Sequence, residues 1–270
     1  MNVKPDDRPP PASFLEGLSV QIRCISALII RDMMMRYGRA NIGFLWIILE
    51  PMLLTAGVML IWSFIKSGNQ HGIGLLTLVL TGYMPLTLWR HLTGAGIHAF
   101  RRNVGLLYHR HITLIDTLFS RMILEFGGTT AALFAVYSVL ALAGAVEPLK
   151  DPGLAVLGWL SMAILSVGMG MIFAIATEYS EVAERFVQPI QYLMLPISGA
   201  FFMVAWLPKF AADLALYNPT VHCYEMFRAG FLGESVTTHY SPWYPITFGI
   251  VLIFFGLVSI NSVRDNLHTG

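Results

Sequence analysis

The chain has 270 residues, 56% of them hydrophobic and only 12% charged, with a formal net charge of +1. A soluble domain carries roughly twice that charged fraction, so composition excludes an ordinary soluble globule and points to a polytopic membrane protein. The near-neutral total gives no sign of a nucleic-acid partner, and only the distribution of charge along the chain is informative.

Residues 1–14, beginning MNVKPDDRPPPAS, are rich in proline and carry two aspartates. They are expected to form a disordered cytosolic tail rather than a secretory signal. From 15 to 40, Leu15, Leu18, Ile22, Ile25, Ile29 and Met33 recur at steps of three and four, with Glu16, Ser19, Arg23 and Ser26 on another face. That spacing predicts an amphipathic helix lying in the membrane interface. A soluble helix packed on a cytosolic partner has the same pattern.

Arg31, Asp32, Arg36 and Arg39 then lead into an apolar run at 42–65, broken only by Glu50 and Pro51. About 20 residues of helix cross the hydrocarbon core, so this is the first of six expected spans. A carboxylate inside a span is costly and normally faces protein or water. The second span is expected from 73 to about 100, with Arg90, His91 and His98 inside it. The third is apolar from 126 to 146 with a more polar lead from 112. The fourth, 153–177, carries no charge. The fifth, 186–207, is bent by Pro189 and Pro196, and the sixth covers 243–263. Gly168 and Gly170 fit close helix packing. Eleven Lys/Arg fall on the side of the termini and four on the other, so both termini are expected in the cytoplasm. This topology separates Cys24 from Cys223, so no disulfide is expected. The stretch 208–242, apolar but broken, fits short helices dipping into the outer leaflet better than further spans.

Several motifs bear on possible chemistry. No GxxxxGK[ST] loop is present, so the chain lacks the usual phosphate cradle for ATP hydrolysis. His111 and Asp116 match the spacing of an HxxxxD acyltransferase motif, without its companions. His109 and His111 lack the carboxylate or cysteine support of a metal site. Arg121 and Glu125 share one helix face and fit a structural ion pair near the cytoplasmic surface. Trp46, Trp62, Tyr83, Trp89, Tyr192, Phe201, Phe202 and Trp206 serve either as interfacial bulk or as sliding platforms for sugar faces.

Taken together, Arg31-Asp32, Arg36-Tyr37-Gly38-Arg39, Ile42-Gly43, Leu45-Trp46 and Glu50-Pro51 resemble the opening motif of permease subunits of ABC-2 type exporters. The capsular polysaccharide branch is the most similar. Asp116, Arg121 and Glu125, then Asn218-Pro219 with Arg228, are similar to later patterns of that family. The resemblance implies an all-α fold with six transmembrane helices, the interface helix and re-entrant periplasmic helices between spans five and six. It divides the chain into the tail, the helix at 15–40, a transmembrane domain at 41–264 and a cytosolic tail at 265–270.

By the same resemblance the chain is a transport subunit, not an enzyme. It exports lipid-linked capsular polysaccharide across a bacterial inner membrane as a homodimer with two copies of a separate ATPase, which holds the ATP and Mg. Periplasmic and outer-membrane export proteins are implied as further partners. The basic loop 101–116, with Arg101, Arg102, Leu107, Tyr108 and Arg110, would couple to the ATPase. Arg31, Asp32, Arg36, Tyr37, Arg39, Trp46 and Glu50 would form the interface element. Arg90, His91, Trp89, Tyr83 and Trp62 are the expected substrate path, with no metal. For Arg90, snorkelling and an ion pair with Glu50 stay open beside that role. O-antigen or teichoic acid export, and in another class a membrane-embedded acyl or glycosyl transferase, are the alternative functions.

Overall fold

The structure is a computed structural model that describes residues 14–37, 43–65, 73–97, 100 and 112–267. Residues 1–13 of the expected disordered tail, His98, His109, His111, Arg39 and the whole set Arg101, Arg102, Leu107, Tyr108 and Arg110 lie outside the described residues, and Phe14 already belongs to a helix. Arg36 and Tyr37 end a described helix, but their side chains lie outside the description.

The described residues form helices and no β-strand element: α1 Phe14–Tyr37, α2 Gly43–Ile65, α3 Leu75–Ala95, α4 Leu114–Leu142, α5 Pro152–Tyr179, α6 Glu181–Ile197, α7 Lys209–Ala215, α8 Pro219–Leu232 and α9 Trp243–Leu267. Three of them contain a segment long and apolar enough to cross a membrane: α4, α5 and Trp243–Ile260 of α9. A shorter apolar stretch, Ile48–Phe64, runs within α2.

The hub is α5, which packs against α9, α8 and α3. It can do so closely because it has small residues where the axes meet. A Cβ on Gly168 would come within 2.7 Å of Gly249 O, and one on Gly170 within 2.6 Å of Leu92 O. The packing expected for these two glycines is therefore observed. In a bilayer, where lipid tails are as apolar as side chains, such close approach is what draws helices together.

Hydrogen bonds fix two boundaries that hydropathy leaves loose. The polar lead before residue 126 is helix, in keeping with the shared face of Arg121 and Glu125, and Thr113 and Asp116 form a reciprocal cap at its start. Asp116 N–H donates to Thr113 Oγ1 (3.2 Å), and Thr113 N–H donates back to Asp116 Oδ2 (2.9 Å), which satisfies two otherwise orphan donors. Gln21 of α1 donates to the other carboxylate oxygen at 3.1 Å. Asp116 is thus a buried structural anchor that ties α1 to α4, with both of its carboxylate oxygens engaged by Thr113 and Gln21.

The other boundary concerns the fifth apolar segment. It does not stay helical to 207 but ends at Ile197. Gly199 follows at φ 97°, a conformation that only glycine adopts without strain.

Along α1 the predicted apolar face divides. Ile25, Ile29 and Met33 are half-buried beside the buried Leu28, whereas Leu15 is 73% exposed and Ile22 55%. The first half of the helix keeps its apolar side off the rest of the chain. Cys24 is half-buried and Cys223 buried, and no disulfide joins them.

Candidate functional site

Four helices send polar side chains into one recess of about 410 Å³. α2 supplies Glu50 and Leu54; α3 supplies Tyr83, Thr87, Arg90 and His91; α4 supplies Arg121; α6 supplies Gln188 and Gln191. Glu50, Arg121 and Gln188 each lie about two turns from the start of their helix, and Arg90 about a turn and a half from the end of α3. At 1.5 Å per residue these side chains share one level, roughly 10 Å inside the same end of the bundle. Charge at that level is expensive in hydrocarbon unless it faces water or protein.

The back wall is internally satisfied. His91 Nδ1 lies 3.4 Å from Glu125 Oε2 and 3.3 Å from Thr129 Oγ1. Gln191 donates to Thr93 Oγ1 at 2.8 Å, and that hydroxyl donates to Trp89 O at 2.7 Å. The front wall differs. Arg90 is half-buried, and its guanidinium carbon lies 5.4 Å from the Tyr192 ring centroid, a cation–π contact worth roughly 0.5–1 kcal/mol. Among the described residues no ion pair joins Arg90 to Glu50, so of the readings left open for Arg90 the neutralising pair is not formed in this structure. Glu50, Leu54 and Gln188 are exposed, so the recess is open on the α2 and α6 sides.

Of the five expected path residues, Arg90, His91 and Tyr83 meet in this recess. Trp89 does not. One residue is a 100° turn of the helix, and Trp89 points the other way into the core, 2% exposed, with its indole N–H on Met169 Sδ at 3.5 Å. Trp62 lies further along α2, stacked on Phe201 with ring centroids 6.1 Å apart and planes 11° off parallel. Tyr83 lines both the recess and the crevice beside Trp62 and Phe201, so Arg90, Tyr83 and Trp62 follow one track along α2 and α3. Of the opening motif, Trp46 is half-exposed on α2, and Arg31 pairs with its neighbour Asp32 at 2.6 Å. Sequence reasoning set Arg121 beside Glu125 and did not anticipate that Arg121 and the two glutamines line the same recess as Arg90. A single helix face shows which residues lie together, not which other helix they meet. Among the described residues, no group of three His, Cys, Asp or Glu has a metal-binding arrangement.

The opposite end of the track is closed by a clamp. Arg228 of α8 is 0% exposed. It donates to Gly199 O (2.8 Å) and Phe202 O (2.5 Å) through Nη1 and to Ala200 O (2.6 Å) through Nη2. Glu225, one turn earlier and 1% exposed, accepts from Val204 N–H (3.1 Å) and His239 N–H (2.9 Å). Asn218 caps α8 through Thr220 N–H and donates to Ile197 O at 3.0 Å, while Thr220 Oγ1 donates to Ser198 O at 3.0 Å. Asn218-Pro219 and Arg228, noted in the sequence only as a pattern, therefore hold the turn that carries Phe201. On the other side the turn presses on α3, where a Cβ on Gly82 would overlap Ala200 O.

The profile of the ABC-2 type transporter family matches residues 23–232. The chain is 39% identical over 248 residues to the capsule polysaccharide export inner-membrane protein CtrC of Neisseria meningitidis serogroup A, covering 92% of this chain and 94% of the relative. It is 34% identical over 256 residues to the capsule polysaccharide export inner-membrane protein BexB of Haemophilus influenzae, covering 95% and 97%. It is 29% identical over 265 residues to the polysialic acid transport protein KpsM of Escherichia coli, covering 94% and 98%.

Proposed function

The chain belongs to the ABC-2 type transporter family, and on that premise we propose that it is the membrane-spanning subunit of an ATP-driven exporter of capsular polysaccharide across a bacterial inner membrane. It is a transport component, and ATP hydrolysis belongs to a separate subunit. The observation that carries the reading is the similarity to three capsule-export or polysialic acid transport proteins over nearly the full length of both partners.

In this reading six spans are α2, α3, α4, α5, α6 with the turn after it, and α9. Charge distribution puts both termini in the cytoplasm. The recess then lies toward the cytoplasmic side and the clamp toward the periplasm, with α7 and α8 as re-entrant helices. The burial of α8 from Thr220 to Phe231 supports this, since non-spanning backbone at membrane depth must be covered by protein.

The chain works as a homodimer with two ATPase copies, and its lipid-linked polymer passes on to periplasmic and outer-membrane export proteins. Arg101, Arg102, Leu107, Tyr108 and Arg110 dock on the ATPase, and closure of that subunit shifts the helices. The track of Arg90, Tyr83 and Trp62 guides the polymer. A charged contact starts it and aromatic faces continue it, covering sugar rings without holding them tightly. The test is lipid-linked glycan analysis in a strain lacking this gene. Finished polymer retained in the cytoplasm supports export; unfinished polymer assigns the chain to synthesis and overturns the reading.

A further inference from the structure

A second recess, of about 610 Å³, lies where α5 begins and α8 ends, within the size range of ligand sites. Gly170, which meets Leu92 beside the first recess, is roughly 28 Å further along α5 at 1.5 Å per residue, so the two recesses occupy opposite ends of the bundle. Main chain fixes the frame of the second. Lys150 N–H and Asp151 N–H both donate to Gly230 O, at 3.1 and 2.9 Å, and Ser235 Oγ donates to Leu232 O at 2.6 Å. Gly233, at φ 59°, lets the chain fold flat on Lys150, whose Cβ would lie 3.0 Å from a Cβ placed there. Leu154, Leu232 and Val236 give the recess an apolar floor. Asp151, Glu234, Thr238 and Tyr240 add two carboxylates, a hydroxyl and a phenol.

We propose that this recess binds an uncharged sugar residue of the polymer on the periplasmic side. The proposal rests on the export reading, which brings a sugar chain to this end. Asp151 spends Oδ1 on capping α5, accepting from Leu154 N–H at 3.0 Å. Its Oδ2 and the Glu234 carboxylate make no hydrogen bond or ion pair among the described residues. Carboxylate oxygens with unused lone pairs suit sugar hydroxyls, each of which donates one hydrogen. Tyr240 and the apolar floor suit the C–H face of the ring. Charge sets the preference. Lys150, the one cation of the described lining, pairs with Glu147 at 3.1 Å, so the recess is net negative and repels an acidic sugar where it accepts a neutral one. Among the described residues no third metal-ligating side chain joins the two carboxylates. A lysine-rich segment of another protein matches the charge but leaves the ring and the apolar floor unused. Asp151 and Glu234 are exposed, so water competes and the hold is weak, as a moving chain requires.

The experiment uses the full-length protein with its ATPase in nanodiscs. It is titrated with uncharged trisaccharides of glucose, galactose, mannose and N-acetylglucosamine, with trigalacturonic acid and with tetralysine, and saturation-transfer NMR reads the affinities. The expected result is binding of at least one uncharged trisaccharide, weakened about tenfold in Glu234→Ala/Tyr240→Ala. Asp151→Asn/Glu234→Gln keeps an oxygen acceptor at each position and the cap of α5, and removes both charges. It should hold the neutral sugar and raise the affinity for trigalacturonic acid about threefold, the size expected of exposed charges. A purely structural role does not produce that change.

Failure of every uncharged trisaccharide to bind overturns the proposal, as does equal affinity in a folded alanine variant. Tighter binding of trigalacturonic acid than of any neutral sugar by the parent overturns it too, because the charge argument then has the wrong sign. Binding of tetralysine alone makes the recess a protein-docking site and removes the sugar assignment. The amide variant keeps the test decisive where the alanine variant does not fold. All of these outcomes leave the export reading intact. Normal export by the deletion strain sinks the export reading itself, whatever the recess binds.

Discussion

Replacing Arg228 by Met keeps much of the side-chain volume and removes every donor. Three carbonyls, those of Gly199, Ala200 and Phe202, then lose their partner. Each buried acceptor left unsatisfied costs about 1–3 kcal/mol, and Glu225 loses the cation one turn away. Against this stands relief from burying a guanidinium at all, which is worth several kcal/mol. The balance is a loss of about 3–5 kcal/mol, the range found when one partner of a buried charged network is removed. At roughly 2–4 °C per kcal/mol for a chain of this size, the melting temperature should fall by about 6–20 °C. Thermal unfolding of the purified variant in nanodiscs measures this. Limited proteolysis should show new cleavage near residues 199–208, where the turn has come free. Arg228→Lys keeps charge but not the fork, and should fall between the two. If Arg228→Met melts within a degree or two of the parent and resists protease equally, the clamp is not what holds this end together.

Gly82→Ala should destabilise by about 1–3 kcal/mol through overpacking against Ala200, whereas Gly57→Ala and Gly127→Ala, with open space at the Cβ, should be neutral or slightly stabilising by denaturant titration. Asp116→Asn should weaken the cap of α4 and the docking of α1 by about 1 kcal/mol, visible as faster amide exchange in both helices. Changing Leu107 or Arg102 to Ala should stop export with the protein still in the membrane, whereas normal export would reduce that loop to a connector. A topology reporter at Lys150 should read periplasmic and one at Gly105 cytoplasmic, and the reverse would invert the proposed orientation.

What the sequence reveals and what it hides follow from the range of the forces involved. Apolar runs are local, so α2, α5 and α9 can be placed from hydropathy to within a few residues. Polar residues inside such runs are conspicuous, which is why Glu50, Arg90 and His91 stand out. Their assembly is not local. Arg121 sits on a helix that starts only after a long connection, and nothing in its own turn announces Arg90. Trp89 misleads because adjacency in sequence reads as adjacency in space, and helical rotation denies it. Asp116 has two readings, HxxxxD and Thr-x-x-Asp; only the hydrogen bonds from Thr113 and Gln21 select the second. The end of α6 at Ile197 depends on a residue about thirty positions later, Arg228, and no window around Pro196 contains it.

The clamp reads main chain, not side chains. Arg228 addresses carbonyls and Glu225 addresses amides, so the path of the turn is fixed without reference to what Phe201 or Phe202 carries beyond Cβ. Exchanging Phe201 forfeits its stack on Trp62, worth roughly 0.5–1.5 kcal/mol, but leaves the hydrogen bonds that hold the backbone beneath it. A surface of that kind is a socket with interchangeable fittings. Descent with different polymers could refit it at position 201 and leave residues 82, 199, 225 and 228 alone.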